Sequence, residues 1–170
     1  WNEVVKINTW HQHRISKLII KKLFGNLSGK KIAVLGFAFK SNTNDTRESA
    51  AIQICKDLID EGAKLFIHDP KVSPDQITKD LGLIPHNISK KEDYLKNNSE
   101  GNWNISKDIE SALVDSDAAL ILTEWLEYSS IDWRKISKVM RKPAWVFDTR
   151  ICANRELLLK IGFKVWTLGS

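Results

Sequence analysis

From Lys30 onward the chain alternates short apolar runs with segments of helical period, a pattern that favours a parallel β-sheet covered by helices. Strands are expected at residues 31–35, 65–68, 119–122, 144–147 and 164–168. The first helix after the opening strand is placed near Asp45, because Asp45-Thr46-Arg47-Glu48 has the spacing of a capping box. Ile52, Cys55, Leu58 and Ile59 would form its core face, and Gly62 would end it. Further helices are expected over residues 75–81, from Ser106 as cap through Val114, and over 132–140 and 155–161. The polar residues 86–105 lack periodicity and read as a surface excursion.

The first 24 residues carry Val4, Ile7, His11, Ile15, Leu18 and Leu23 close to a 3.6-residue rhythm, with Gly25-Asn26 as a stop. Trp1 sits inside that rhythm with no Ser, Thr or Asp ahead of it as a cap, so this segment is expected to be a piece of a longer helix. Residues 1–25 are thus set apart as a helix and 26–170 as one α/β domain, a length that suits a single core of ordinary size. The fold class expected is a Rossmann-like open parallel sheet flanked by helices and preceded by a long N-terminal helix.

Composition narrows the function classes. With 42% hydrophobic and 28% charged residues the chain reads as soluble and globular, and no apolar run approaches the roughly 20 residues of a membrane span. The net charge of +5 comes from 26 basic and 21 acidic residues that are interspersed, which argues against nucleic acid as a partner. Cys55 and Cys152 lie far apart and outside any C-x-x-C pattern, so neither a disulfide framework nor a zinc site is expected, and a cytoplasmic setting fits best. His11 and His13, two apart on a helix, point to different faces, and no metal site is expected.

Ligands of open α/β sheets lie beyond the carboxyl ends of the strands. Three such places stand out here: 36–40, 123–125 and 148–150. After Gly36 the second and third glycines of a G-x-G-x-x-G turn are missing, and Phe37, Ala38, Phe39 and Lys40 stand in their place. The rim would offer Lys40 and Arg150 as cations, Phe39 and Trp125 as flat apolar surfaces, and the amino end of the helix placed at Asp45. That combination fits a nucleoside diphosphate. Duller roles compete: Phe39 and Trp125 as core aromatics, Glu48 as a cap, Asp69 as a turn former rather than a ribose ligand. Arg47 in a first helical turn would oppose the helix dipole, which favours a functional role.

"GFAFKSNTNDTRES", "HDPKV", "TEW" and the Asp148-x-Arg150 turn, in this order, resemble the carboxyl-terminal domain of the nucleotide-sugar dehydrogenases. "WNEVVKIN" followed by "KLFGNLSGKKIAVLGFAFK" is similar to the far half of that family's central helix and its exit into the UDP-binding domain. The resemblance implies a two-step oxidation of UDP-glucose to UDP-glucuronate with two NAD⁺. It places the catalytic cysteine and most of the NAD site in an amino-terminal domain that these residues do not include, so no catalytic residue is named. By the same resemblance Phe39, Lys40 and Arg150 bind the sugar nucleotide and Arg47 reaches the cofactor. The long helix and residues 22–26 are implied in homo-oligomer assembly. Two positions depart from the family's pattern, Asn44 and Thr149, both standing where it has glycine. UDP-N-acetylmannosamine and GDP-mannose remain alternative substrates of the class, and a non-catalytic nucleotide-binding module remains an alternative to an enzyme.

Overall fold

Ile32, Ala33, Val34 and Leu35 have no solvent exposure, as a strand covered on both faces requires. The computed structural model of the protein describes residues 1–87 and 101–169 and makes this strand, β1 (Lys31–Leu35), the middle of a six-stranded sheet. The others are β2 (Lys64–His68), β3 (Asn102–Ile105), β4 (Ala118–Ile121), β5 (Trp145–Asp148) and β6 (Lys164–Thr167). Their order is β3-β2-β1-β4-β5-β6, and every neighbouring pair is parallel. The order reverses between β1 and β4, the switch point beside which open α/β sheets bind their ligands.

Helix α1 (Asn2–Lys22) precedes the sheet; α2 (Ala50–Asp60), α3 (Pro74–Leu81), α4 (Ile109–Leu113), α5 (Trp133–Ser137) and α6 (Arg155–Ile161) connect the strands. Ala51, Ile54, Cys55, Leu58 and Ile59 bury the inner stripe of α2 at helical spacing. Helix α1 packs on α2, joined by His13 Nδ1 and Asp57 Oδ2 at 2.8 Å, and Ile19 and Leu23 enter the core. Residues 1–11, its cap and first turns, are exposed, Trp1, Val4, Ile7 and Trp10 among them.

The fold class follows the expectation, and several boundaries do not. Helix α2 starts five residues later than the Asp45 spacing suggested: Ser49 is its cap, its side chain accepting from the Ala51 N–H. Glu48 has φ 61°, a left-handed conformation that breaks any helix running through it. Ser106 does not cap α4, because its N–H continues the sheet ladder to Ile67 O; Asp108 caps instead, accepting from Ser111 N. Strand β3 corrects the reading of 86–105 at its far end. Trp103 is buried with its indole N–H on Leu83 O, and the buried Asn104 donates its side-chain amide to Leu65 O. Residues 88–100 of that stretch lie outside the described residues. None of the described helices is long and apolar enough to cross a membrane.

Candidate functional site

Strands β1, β4 and β5 are consecutive in the sheet, so their carboxyl ends bring together segments of chain up to 111 residues apart. Arg150 joins them. Its Nε donates to Leu122 O at 3.0 Å, its Nη2 to Phe39 O at 3.3 Å, and its Nη1 lies 3.3 Å from Glu124 Oε2. Glu124 turns the other way with Oε1, which accepts from the Ser41 N–H at 3.2 Å. Burial pushes the Glu124 carboxyl up, but hydrogen bonds from the Ser41 amide and from its own backbone amide, with the charge of Arg150, outweigh it and hold the group below its ordinary value.

The turn after β1 is held just as firmly from beneath. Thr123 Oγ1 donates to Ala38 O at 2.9 Å, and Ser49 Oγ donates to Phe37 O at 2.7 Å. Gly36 permits the first of these contacts, since a Cβ there would lie 2.4 Å from Thr123 Cβ. Asp69, at the end of β2, accepts on one carboxylate oxygen from Phe37 N, Ala38 N and Trp125 Nε1, and on the other from Lys71 N and Val72 N. The duller expectation for Asp69, a turn former, matches its contacts.

The expected residues divide accordingly. Phe39, Lys40 and Arg150 share one rim: the Phe39 ring is 45% exposed, Lys40 beside it is exposed, and the Arg150 guanidinium lies against the Phe39 carbonyl. The core aromatic of this turn is Phe37, fully buried. Trp125 is buried with its ring N–H on Asp69, so it supplies no open platform. Arg47 is highly exposed and stands outside any helix, paired with Asp45 at 2.8 Å. Hydrogen bonds from the Arg47 guanidinium, then from its backbone N–H, hold the Asp45 carboxyl down at about 2. With α2 beginning at Ala50, no helix terminus stands at Asp45.

Thr149 keeps an ordinary backbone conformation and donates its hydroxyl to Ile121 O at 2.7 Å. The left-handed residue of this loop is Ile151, at φ 57°, a strained conformation for a β-branched side chain. Asp148, fully buried, folds the loop by accepting from Arg150 N and Ala153 N. Asp69, Glu124 and Asp148 escaped the sequence reading as organisers. The signal available was their position: each ends or closely follows a strand, where freed backbone amides need acceptors.

Neither cysteine is activated. Burial pushes the Cys55 thiol far up and the Cys152 thiol up to about 11.

Behind the rim, His68 Nδ1 and the Tyr128 hydroxyl lie 3.0 Å apart, and that hydroxyl donates to His68 O at 3.0 Å. Burial lowers the His68 pKa. The unfolded chain therefore takes up a proton near pH 6.5 that the native state resists, and stability present above that pH is lost as pH falls toward the lower folded value. Urea midpoints are expected to fall between pH 7 and pH 5, and His68→Gln should flatten that slope. An equal slope in both proteins would exclude His68 as its source.

The model of the UDP-glucose/GDP-mannose dehydrogenase family, UDP binding domain, matches residues 33–155. The chain is 43% identical over its whole length to a UDP-glucose 6-dehydrogenase of Drosophila melanogaster, and 40% identical to UDP-glucose 6-dehydrogenase 1 of Arabidopsis thaliana. It covers 34% and 36% of those proteins, so it spans about a third of the length of the curated relatives it matches. Among solved structures, a UDP-glucose dehydrogenase of Pyrobaculum islandicum superposes with a TM-score of 0.60 at 25% identity, over 84% of this chain and 27% of that one. The NDP-N-acetyl-D-galactosaminuronic acid dehydrogenase of Methanosarcina mazei Go1 shares the fold, with a TM-score of 0.68 at 22% identity over 95% of this chain and 29% of its own. A strand order that parts between β1 and β4, a turn without the glycine triplet, and these matches lead to one placement: the chain belongs to the UDP-glucose/GDP-mannose dehydrogenase family, as its UDP-binding domain.

Proposed function

We propose that this chain is the UDP-sugar-binding domain of a UDP-glucose 6-dehydrogenase, which oxidises UDP-glucose to UDP-glucuronate with two NAD⁺. The observation that carries the reading is the contact of Arg150 with the Phe39 carbonyl, which sets two cations and an exposed aromatic residue along one rim. Arg150 and Lys40 grip the diphosphate, and Phe39 packs on the nucleotide. UDP-glucose is favoured over UDP-N-acetylmannosamine and GDP-mannose by the 43% identity to a UDP-glucose enzyme.

Residues 1–25 form the end of the central helix and residues 26–170 the UDP-sugar domain. The exposed Val4, Ile7 and Trp10 of that helix support a homo-oligomer assembled through it, and the two free cysteines fit a cytoplasmic setting. The turn after β1 does not fit the dinucleotide, because Asp69 already occupies its amides. On this reading, as the family resemblance implies, NAD⁺ is held mainly by an amino-terminal domain, and Arg47, exposed on the loop ahead of α2, reaches it from this side. The chain's own contribution to the chemistry is to bind and orient the sugar nucleotide; the reacting thiol comes from the other domain.

Calorimetric titration tests this. UDP should bind the chain, and Lys40→Ala should weaken it about 10-fold, the loss of one charge-assisted contact of roughly 1.5 kcal/mol. Arg47→Ala should leave UDP affinity unchanged and raise the KM for NAD⁺ in the enzyme carrying both domains. Equal weakening of both ligands would reject the division of labour.

A further inference from the structure

We infer that Asp69 is a specificity-determining residue that closes this strand–turn–helix unit to dinucleotide phosphates. In a Rossmann unit the N–H groups after the first strand face a pyrophosphate, and glycines let it come close. Here the corresponding N–H groups of Phe37 and Ala38 converge on a single oxygen of Asp69, at 2.8 and 3.0 Å. Gly36, at φ +98°, makes the two amides point the same way, the arrangement of an anion-binding nest. The nest is thus filled from within the chain.

Several observations show that the filling is built in. The second Asp69 oxygen is fixed by Lys71 N and Val72 N, and the buried Trp125 ring N–H completes the set. The side chains of Phe37 and Ala38 are themselves core, so the turn cannot roll to present its amides elsewhere. A carboxylate tethered at the nest competes with any dissolved anion at a high effective concentration. The anion site of this domain is consequently displaced along the turn to the Phe39–Lys40 segment and Arg150. The inference concerns the nest alone and does not depend on what the displaced site binds.

The test uses the chain with Lys40→Ala and Arg150→Ala, so that the rim no longer answers to anions, with and without Asp69→Ala. Thermal unfolding is followed in inorganic phosphate against chloride at equal ionic strength. With Asp69→Ala, phosphate at ten times its dissociation constant should raise the Tm by roughly 3–6 °C, saturably, and should move the amide resonances of Phe37 and Ala38. The parent should do neither. A folded Asp69→Ala variant whose phosphate response equals that of its parent would overturn the inference. If Asp69→Ala does not fold in either salt, Asp69→Ser, whose shorter, neutral hydroxyl withdraws the carboxylate from the nest, carries the same comparison. An unchanged response there counts equally against it. Because the Lys40 and Arg150 variants are common to both arms, failure here leaves the assignment of the rim to UDP untouched, and failure of that assignment leaves this result standing.

Discussion

Arg150→Ala is expected to weaken UDP binding by roughly 30- to 100-fold, the largest effect of any single side chain on the rim. Charge-assisted hydrogen bonds contribute about 1.5–3 kcal/mol, and a guanidinium can place two of its donors on phosphate oxygens at once. Its other donors hold the Phe39 and Leu122 carbonyls, so the truncation also frees the segment that carries Lys40. Glu124 would then stand at the rim without its partner, an uncompensated negative charge beside the incoming diphosphate. Arg150→Lys should recover only part of the loss, because an ammonium cannot reproduce the planar fork. Calorimetric titration of each variant, with far-ultraviolet circular dichroism to confirm folding, measures both. A folded Arg150→Ala chain that binds UDP as the parent does would end the assignment of the rim.

Gly36→Ala should cost about 2–5 kcal/mol of stability. Two terms add: a left-handed backbone is worth roughly 1–2 kcal/mol against a side chain, and overpacking a dense site about 1–3 kcal/mol more. The overlap is severe, with Thr123 Cβ and Oγ1 at 2.4 Å and Thr123 N at 2.8 Å from the added carbon. Relief would require β4 to retreat from β1, against the ladder that pairs Leu35 with Ile121. The expected fall in Tm is on the order of 10 °C. Thr123→Gly in the same chain should restore only a fraction, since the backbone nitrogen stays where it is. A fall below 2 °C in Gly36→Ala would show that the turn relaxes without loss.

The layout of the sheet was legible because central parallel strands are apolar throughout, and Ile32-Ala33-Val34-Leu35 and Ala118–Ile121 announce themselves. Strand β3 did not, because its buried members Trp103 and Asn104 satisfy their polar groups on Leu83 O and Leu65 O, contacts that no local pattern encodes. The start of α2 was misread for a related reason. Asp45 does make the local hydrogen bond that its residue type promises, to Arg47 N, but it closes a turn and not a helix. At the rim, the cations and the exposed ring could be picked out as residues that follow strands. The carboxylates that aim them carried only the weaker signal of their place at strand ends, since Glu124 acquires its meaning only when residues 41 and 150 arrive beside it.

That arrival bears on how the domain folds. The rim is assembled from contacts spanning 111 residues between Arg150 and Phe39 and 83 between Glu124 and Ser41, so it closes only once β1, β4 and β5 have zipped together. A half-formed chain with either wing of the sheet alone holds no complete grip. Nucleotide capture is therefore a readout of finished topology, and a ligand present during refolding stabilises the end of the route without hastening its beginning.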